Sequence, residues 1–206
     1  MNYDQIPSDE IINATAEALK SNGMTAHVVA TAAEAKAKVA EIIPLNSEVM
    51  TMTSITLEET GIADLLNNSG QYDSVRKDLE KMNRETDSKE MQRVGAAPDW
   101  SVGSVHSITQ NGEVIIASNS GSQLPGYAYG SPHVVWVVGA QKIVKNIEDG
   151  QKRLKEYVVP LESVRARKAY GLPDSFHTNI SKLLIISREL NPERIQIILV
   201  KEKLGF

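Results

Sequence analysis

At 206 residues, with 41% hydrophobic and 23% charged positions, the chain has the size and composition of one globular domain, expected to span 1–206 with residues 1–23 as a helical segment packed on it. A net charge of −4 argues against a nucleic-acid partner, which calls for a basic surface. Cysteine is absent, which excludes disulfides, thiol nucleophiles, iron–sulfur clusters and cysteine-based zinc sites, and leaves a cytoplasmic location as the default expectation.

The first residues carry early acidic groups and no apolar core, so they do not read as a signal peptide. No apolar run approaches the roughly 20 residues that span a bilayer, so no membrane partner is expected. Ser8 to Asn22 reads as a helix with Ile11, Thr15, Ala18 and Leu19 on one face and Gly23 as its C-terminal cap. Met24 to Ala30 is a short strand. Thr31 and Glu34 form a capping box for a helix whose stripe is Ala32, Ala35, Val39, Ile42 and Ile43, ended by Pro44. Glu48 to Thr53 is the next strand, and Thr56 to Leu66 the next helix, with Thr56 and Glu59 as a second capping box. This alternation is the rhythm of a parallel α/β sheet.

Gln71 to Arg93 is highly charged and weakly periodic. It reads as short helical pieces, either packed on a partner chain, with a homodimer as the expectation, or left mobile. From Trp100 to Thr109 the pattern becomes that of one strand with Val102, Ser104, His106 and Ile108 on a single face. Asn111-Gly112 is a hairpin turn into Val114 to Ala117, so the sheet is expected to be mixed, mostly parallel with one hairpin. Val134 to Val138 is a second buried strand. Asn146 caps a helix carrying Ile147, Leu154, Tyr157 and Val158, and Pro160 opens another that Gly171 closes. Leu183 to Ser187 and Ile195 to Val200 read as a hairpin or two closing strands.

Several small polar turns follow apolar strands: Thr53-Ser54, Gly103-Ser104, the loop Ser118-Asn119-Ser120-Gly121-Ser122-Gln123, and Gly139 to Lys142. In an open α/β sheet the carboxyl ends of parallel strands face one crevice, so such turns can converge on one ligand. Backbone N–H groups, hydroxyls and the Lys142 charge would suit a phosphate or carboxylate. Each turn alone is equally well explained by ordinary turn chemistry. No Walker A loop or Gly-x-Gly-x-x-Gly fingerprint is present, so no cofactor is expected.

The histidines, His27, His106, His133 and His177, include no i, i+4 pair, so no metal site is expected. His106 is the best general-base candidate because it shares a strand with Gly103 and Ser104, with a structural histidine as the alternative. Glu113, beside the Asn111-Gly112 turn, is a second candidate as carboxylate nucleophile or base, or else a solvated turn residue. Ser118, Ser120 and Ser122 lack the Gly-x-Ser-x-Gly elbow of a serine hydrolase.

Ser120 to Leu124, Val134 to Val144 and the ending Arg194 to Phe206 resemble the LUD domain, the lactate-utilisation family that includes a subunit lacking iron–sulfur centres. The resemblance implies an α/β fold of three layers, the Rossmann-like NagB/RpiA/CoA-transferase-like group, whose members hold sugar phosphates, CoA thioesters or folates at the strand ends. The chain departs from the family where Gln110 to Glu113 replaces an acidic-Thr-Gly-Thr turn. It departs again where Asn179 to Ser187 replaces a Gly-Pro-Ser-x-Thr-Ala-Asp segment, which suggests a divergent branch with Asn179 and Lys182 serving in the site. The implied function is organic-acid, lactate-type metabolism with a small anionic metabolite bound in the strand-end crevice. Any catalysis would be acyl or isomerase-type, with His106 or Glu113 as acid/base. Two alternatives stand beside it: a non-catalytic partner subunit of an iron–sulfur oxidoreductase, and a sugar-phosphate, CoA-thioester or folate-handling enzyme.

Overall fold

The computed structural model describes residues 2–206. Its main sheet has six strands, β1 (Thr25–Val29), β2 (Glu48–Thr51), β3 (Asp73–Ser74), β4 (Trp100–Gly103), β7 (His133–Gly139) and β10 (Ile195–Val200). Their order is β1-β10-β7-β4-β2-β3, and every pairing is parallel. The second sheet runs β8 (Ile143–Val144), β5 (Ser107–Thr109), β6 (Val114–Ser118) and β9 (Lys182–Ile186).

The nearly continuous apolar runs of β7 and β10, interrupted in β10 by Gln196, suit interior strands of the main sheet, because a parallel strand covered on both faces calls for hydrophobic residues at almost every position. Alternate side chains serve opposite cores. Val134, Trp136 and Val138 join Ile12, Ala16 and Leu19 of helix α1 (Asp9–Ser21) and Ile108, Val114 and Ile116 of the second sheet. Val135 and Val137 join Ala35 and Val39 of α2 (Ala32–Ile42), Leu57 of α3 (Ile55–Glu59), and Ile62 and Leu66 of α4 (Ile62–Asn68). Helices on one side, the parallel sheet in the middle, and α1 with the second sheet on the other side make the three layers.

Thr31 and Asn146 cap their helices as expected, Ser8 caps α1, and the expected Thr56–Glu59 box gives way to a Ser54 cap. The Ser8, Thr31 and Asn146 side chains accept from the backbone N–H three residues on. Glu34 reaches one residue beyond the expected box, accepting from Ala30 N–H at 2.8 Å instead of from the Thr31 N–H. The Asn111-Gly112 hairpin also forms, joining β5 to β6 antiparallel. Its antiparallel pairing lies in the second sheet, while the main sheet is parallel throughout.

Other expectations are corrected. The buried face of α1 is Ile12, Thr15, Ala16 and Leu19, one residue away from the Ile11–Ala18 phase; adjacent isoleucines admit both phases, and docking on the sheet selects one. The helix expected from Thr56 to Leu66 is two helices, capped by Ser54, which accepts from Leu57 N–H at 3.4 Å, and broken at Gly61, φ 66°. That left-handed conformation is cheap only for glycine. The single strand expected from Trp100 to Thr109 is β4 and β5, which belong to different sheets, so His106 does not share a strand with Gly103 and Ser104. The last two strands do not pair: β9 lies against β6, and β10 lies between β1 and β7.

The charged middle holds α5 (Val75–Lys81) and α6 (Ser88–Ala96), preceded by the edge strand β3. Helix α7 (Ile147–Arg153) passes through a π-helical turn, Leu154–Val158, into α8 (Val159–Tyr170). The widening comes just before Pro160, which has no N–H to give to the preceding turn. Among the described residues no helix is long and apolar enough to cross a membrane.

Candidate functional site

A cavity of about 1240 Å³ opens over the carboxyl ends of β2 and β4. Thr53, Ser54 and Thr56 follow β2 into it, Ser104 and His106 follow β4, and Lys142 follows β7. The loop Ser118 to Gln123 reaches the same space from β6, in the second sheet, so it is not the turn of a neighbouring parallel strand. Asn179, ahead of β9, closes part of the wall.

Lys142 lies at the heart of this wall, only 2% exposed. Its Nζ is 3.0 Å from Thr56 Oγ1 and 3.1 Å from Ser104 Oγ. Among the described residues no carboxylate is within salt-bridge reach of it. Burial without a counter-ion penalises the ammonium form. Desolvation and then the Arg153 charge hold the lysine well below its ordinary range, at about 7, against a smaller opposing pull from Glu59. Thr56 Oγ1 donates to Leu204 O at 3.2 Å, so it meets the amine as an acceptor.

His106 occupies the adjoining wall. Its Nδ1 accepts from Ala117 N–H at 3.1 Å, which leaves Nε2 as the protonated, donating nitrogen. Desolvation, then the Lys142 and Arg153 charges, lower it to about 3. A histidine whose free lone pair is already taken makes a poor general base, so the role expected for it changes to that of a neutral N–H donor. Arg153 is fully buried; it donates from one guanidinium nitrogen to His106 O at 2.6 Å and lies 5.1 Å from the Tyr157 ring centroid. Its other two guanidinium nitrogens find no partner among the described residues.

The Ser118 to Gln123 loop is largely self-satisfied. Ser118 Oγ donates to Gln123 Oε1 at 2.8 Å and accepts from Gly121 N–H at 2.8 Å, while Ser120 Oγ donates to Ser122 Oγ at 3.1 Å. Gly121 adopts φ 90°, and a Cβ there would stand 2.6 Å from Lys182 Cδ. Lys182 therefore supports the loop from behind instead of lining the cavity.

Three more expected residues lie elsewhere. Glu113 closes the hairpin: its N–H donates to Thr109 Oγ1 at 3.0 Å and its carboxylate accepts the Thr109 hydroxyl. Gly103 makes room for Tyr127, whose Oη would be 1.8 Å from a Cβ at that position. Gly139 packs against Gln141 and the backbone of Glu202 and Leu204.

Sequence reasoning missed Thr56, taken for a helix cap, and also Arg76. Arg76 grips the end of β2 through Thr51 O at 2.8 Å and Thr53 Oγ1 at 3.1 Å. Arg165, on the cavity wall, is paired with Glu162. Four of the six methionines, Met50, Met52, Met82 and Met91, line the apolar part; such flexible side chains adapt to irregular ligands. The remaining histidines are occupied or outside: His133 stacks on Trp100 with centroids 4.3 Å apart, His27 meets Gln196 at 3.3 Å, and His177 is not on the cavity wall. Among the described residues no cluster of three or more His, Asp or Glu could hold a metal ion.

With this geometry in place, comparison with known proteins adds the ancestry. A family model described as the LUD domain matches residues 12–200. The crystal structure of a DUF162 family protein from Deinococcus radiodurans is similar in fold, with a TM-score of 0.59 at 15% identity, covering 95% of this chain and 99% of that one. No curated protein matches the chain.

Proposed function

The chain belongs to the LUD-domain family, and from that premise we propose that it serves organic-acid metabolism of the lactate-utilisation kind by binding a small anionic metabolite in the strand-end cavity. The observation that carries this reading is the buried Lys142 amine, which faces two hydroxyls and, among the described residues, no carboxylate. A carboxylate entering the cavity would supply the missing counter-ion, and a charge-assisted hydrogen bond in a dry site is stronger than one in water. Ser104, Thr53 and the N–H of His106 add neutral polar groups on the same wall.

The sign of the pH dependence follows from the amine. Lys142 is held at about 7, and an anion binds its protonated form, so affinity falls as pH rises through that value and binding below it takes up less proton. Titration calorimetry with lactate and larger hydroxy and oxo acids, on either side of that pH, tests this. Lys142→Ala is expected to weaken binding by about tenfold or more and to flatten the pH dependence. An unchanged affinity in that variant would remove Lys142 from the site and the reading with it.

A further inference from the structure

We propose that Ser104 and Lys142 form a nucleophile–base pair that cleaves an acyl ester, oxygen or sulfur, whose leaving group is bulky. The proposal rests on the cavity being the ligand site and names the substrate class it takes. Covalent catalysis by serine needs a base within about 2.6–3.2 Å and a third group that orients the base. All three are present in line: Ser104 Oγ is 3.1 Å from Lys142 Nζ, and Nζ is 3.0 Å from Thr56 Oγ1. Because the Thr56 hydroxyl already donates to Leu204 O, it accepts a lysine N–H and holds the nitrogen beside Ser104, where the neutral amine has a lone pair free for the hydroxyl proton. The only other acceptor near the Ser104 hydroxyl among the described residues is Val105 O at 3.5 Å, too long to hold the proton.

Accessibility separates the two roles. Lys142 is buried and Ser104 half-buried on the cavity wall, so substrate meets the hydroxyl first and the amine stands behind it. Dry surroundings keep a lysine neutral and able to accept a proton. The charged groups that act on it are Arg153 and Glu59, and its own charge acts on the neighbouring His106. Two other serines of the cavity are disqualified by their partners: Ser118 and Ser120 donate their hydroxyl protons within their own loop.

The Nε2–H of neutral His106 is the available donor for the developing oxyanion. A cavity of about 1240 Å³ far exceeds a hydroxy acid and accommodates a large leaving group against the methionine wall.

The step balances with water as co-reactant. Ser104 Oγ adds to the acyl carbon as its proton passes to Lys142 Nζ. The tetrahedral adduct collapses, the C–O or C–S bond breaks, and the departing alkoxide or thiolate takes the proton from Lys142. Water then adds to the acyl-serine, giving its proton to Lys142, and Ser104 Oγ leaves with that proton as the free carboxylic acid forms.

The test uses the full chain, a fluorophosphonate as serine-directed probe, and aryl ester and aryl thioester substrates. The adduct is expected on Ser104 by peptide mass mapping, with a rate in the wild type that rises with pH to a plateau, its midpoint near 7. Lys142→Met should slow labelling and turnover by about a hundredfold or more. Thr56→Val should lose rate that Thr56→Ser retains, as befits a positioning residue. The wild-type pH profile needs no variant to fold. A flat profile, an adduct on Ser118, Ser120 or Ser122, or labelling of Ser104 that survives Lys142→Met would each overturn the pair. No adduct on a protein whose melting point is raised by lactate-type anions overturns the pair and spares the binding reading. No adduct and no shift overturns both.

Discussion

The β7–β10 pair at the centre of the sheet and the α5–α6 pair at the cavity are held in place by different physics. Every residue of β10 but Gln196, and every residue of β7 but His133, is buried. Helix α6 buries none, and α5 only Val75. The first pair is fixed by apolar area removed from water on both faces, at about 1.5–3 kcal/mol for each large side chain. The second is held by the Arg76 hydrogen bonds to the end of β2 and by the half-buried Met82 and Met91, while exposed ion pairs such as Glu90–Arg93 at 3.4 Å lie within one helix and contribute little. The contrast shows how the site is made: polar groups stand on a rigid floor of strand ends, and part of the apolar wall, Met82 and Met91, comes from elements that hold it loosely.

The largest break in this contrast is expected at Trp136, fully buried in β7 and set edge-on to Tyr127 with centroids 5.2 Å apart. Trp136→Ala should cost about 3–5 kcal/mol, read as a shift of the denaturant midpoint; a loss under about 1 kcal/mol would mean that the centre of the sheet is not the stability core. His106, between floor and wall, gives the next effect. Its folded value is about 3 against an ordinary 6.5, so between those limits the unfolded chain binds the proton and the native one does not. Stability therefore falls as pH drops from 6.5 towards 3, by up to about 1.4 kcal/mol per pH unit from this group. His106→Gln should remove that share of the acid slope, and an unaltered slope would place the ring in contact with water. The smallest effect is expected on α6: Glu90→Ala should change stability by no more than about 0.5 kcal/mol. A larger loss in a thermal melt would show that the cover is held as firmly as the core.

Legibility in the sequence divides along the same line. Capping by Thr31 and Asn146, the hairpin at Asn111-Gly112 and the parallel rhythm could be read because each depends on neighbours within a few residues. The Ser118 to Gln123 loop, Ser104 and Lys142 could be listed as polar groups after apolar strands, and the fold brings them to one cavity. What could not be read was the change of sheet between Gly103 and Ser107. Val102, Ser104, His106 and Ile108 alternate as a single strand would, and nothing local marks the break. Thr56 was hidden by a second plausible job as a helix cap, and Arg76 by a charged segment with little periodicity.

The amino-acid order alone determined the composition of the layers, since apolar periodicity and cap residues act through local backbone geometry and through water. It also determined which polar residues were available at strand ends. Only the tertiary structure decided the strand order, and with it which of those residues meet. Lys142 is a solvated point charge in any isolated turn; burial beside Arg153, with the Thr56 and Ser104 hydroxyls as its only partners among the described residues, makes it a near-neutral amine. Desolvation and proximity are properties of the assembled fold, because both depend on residues dozens of positions apart.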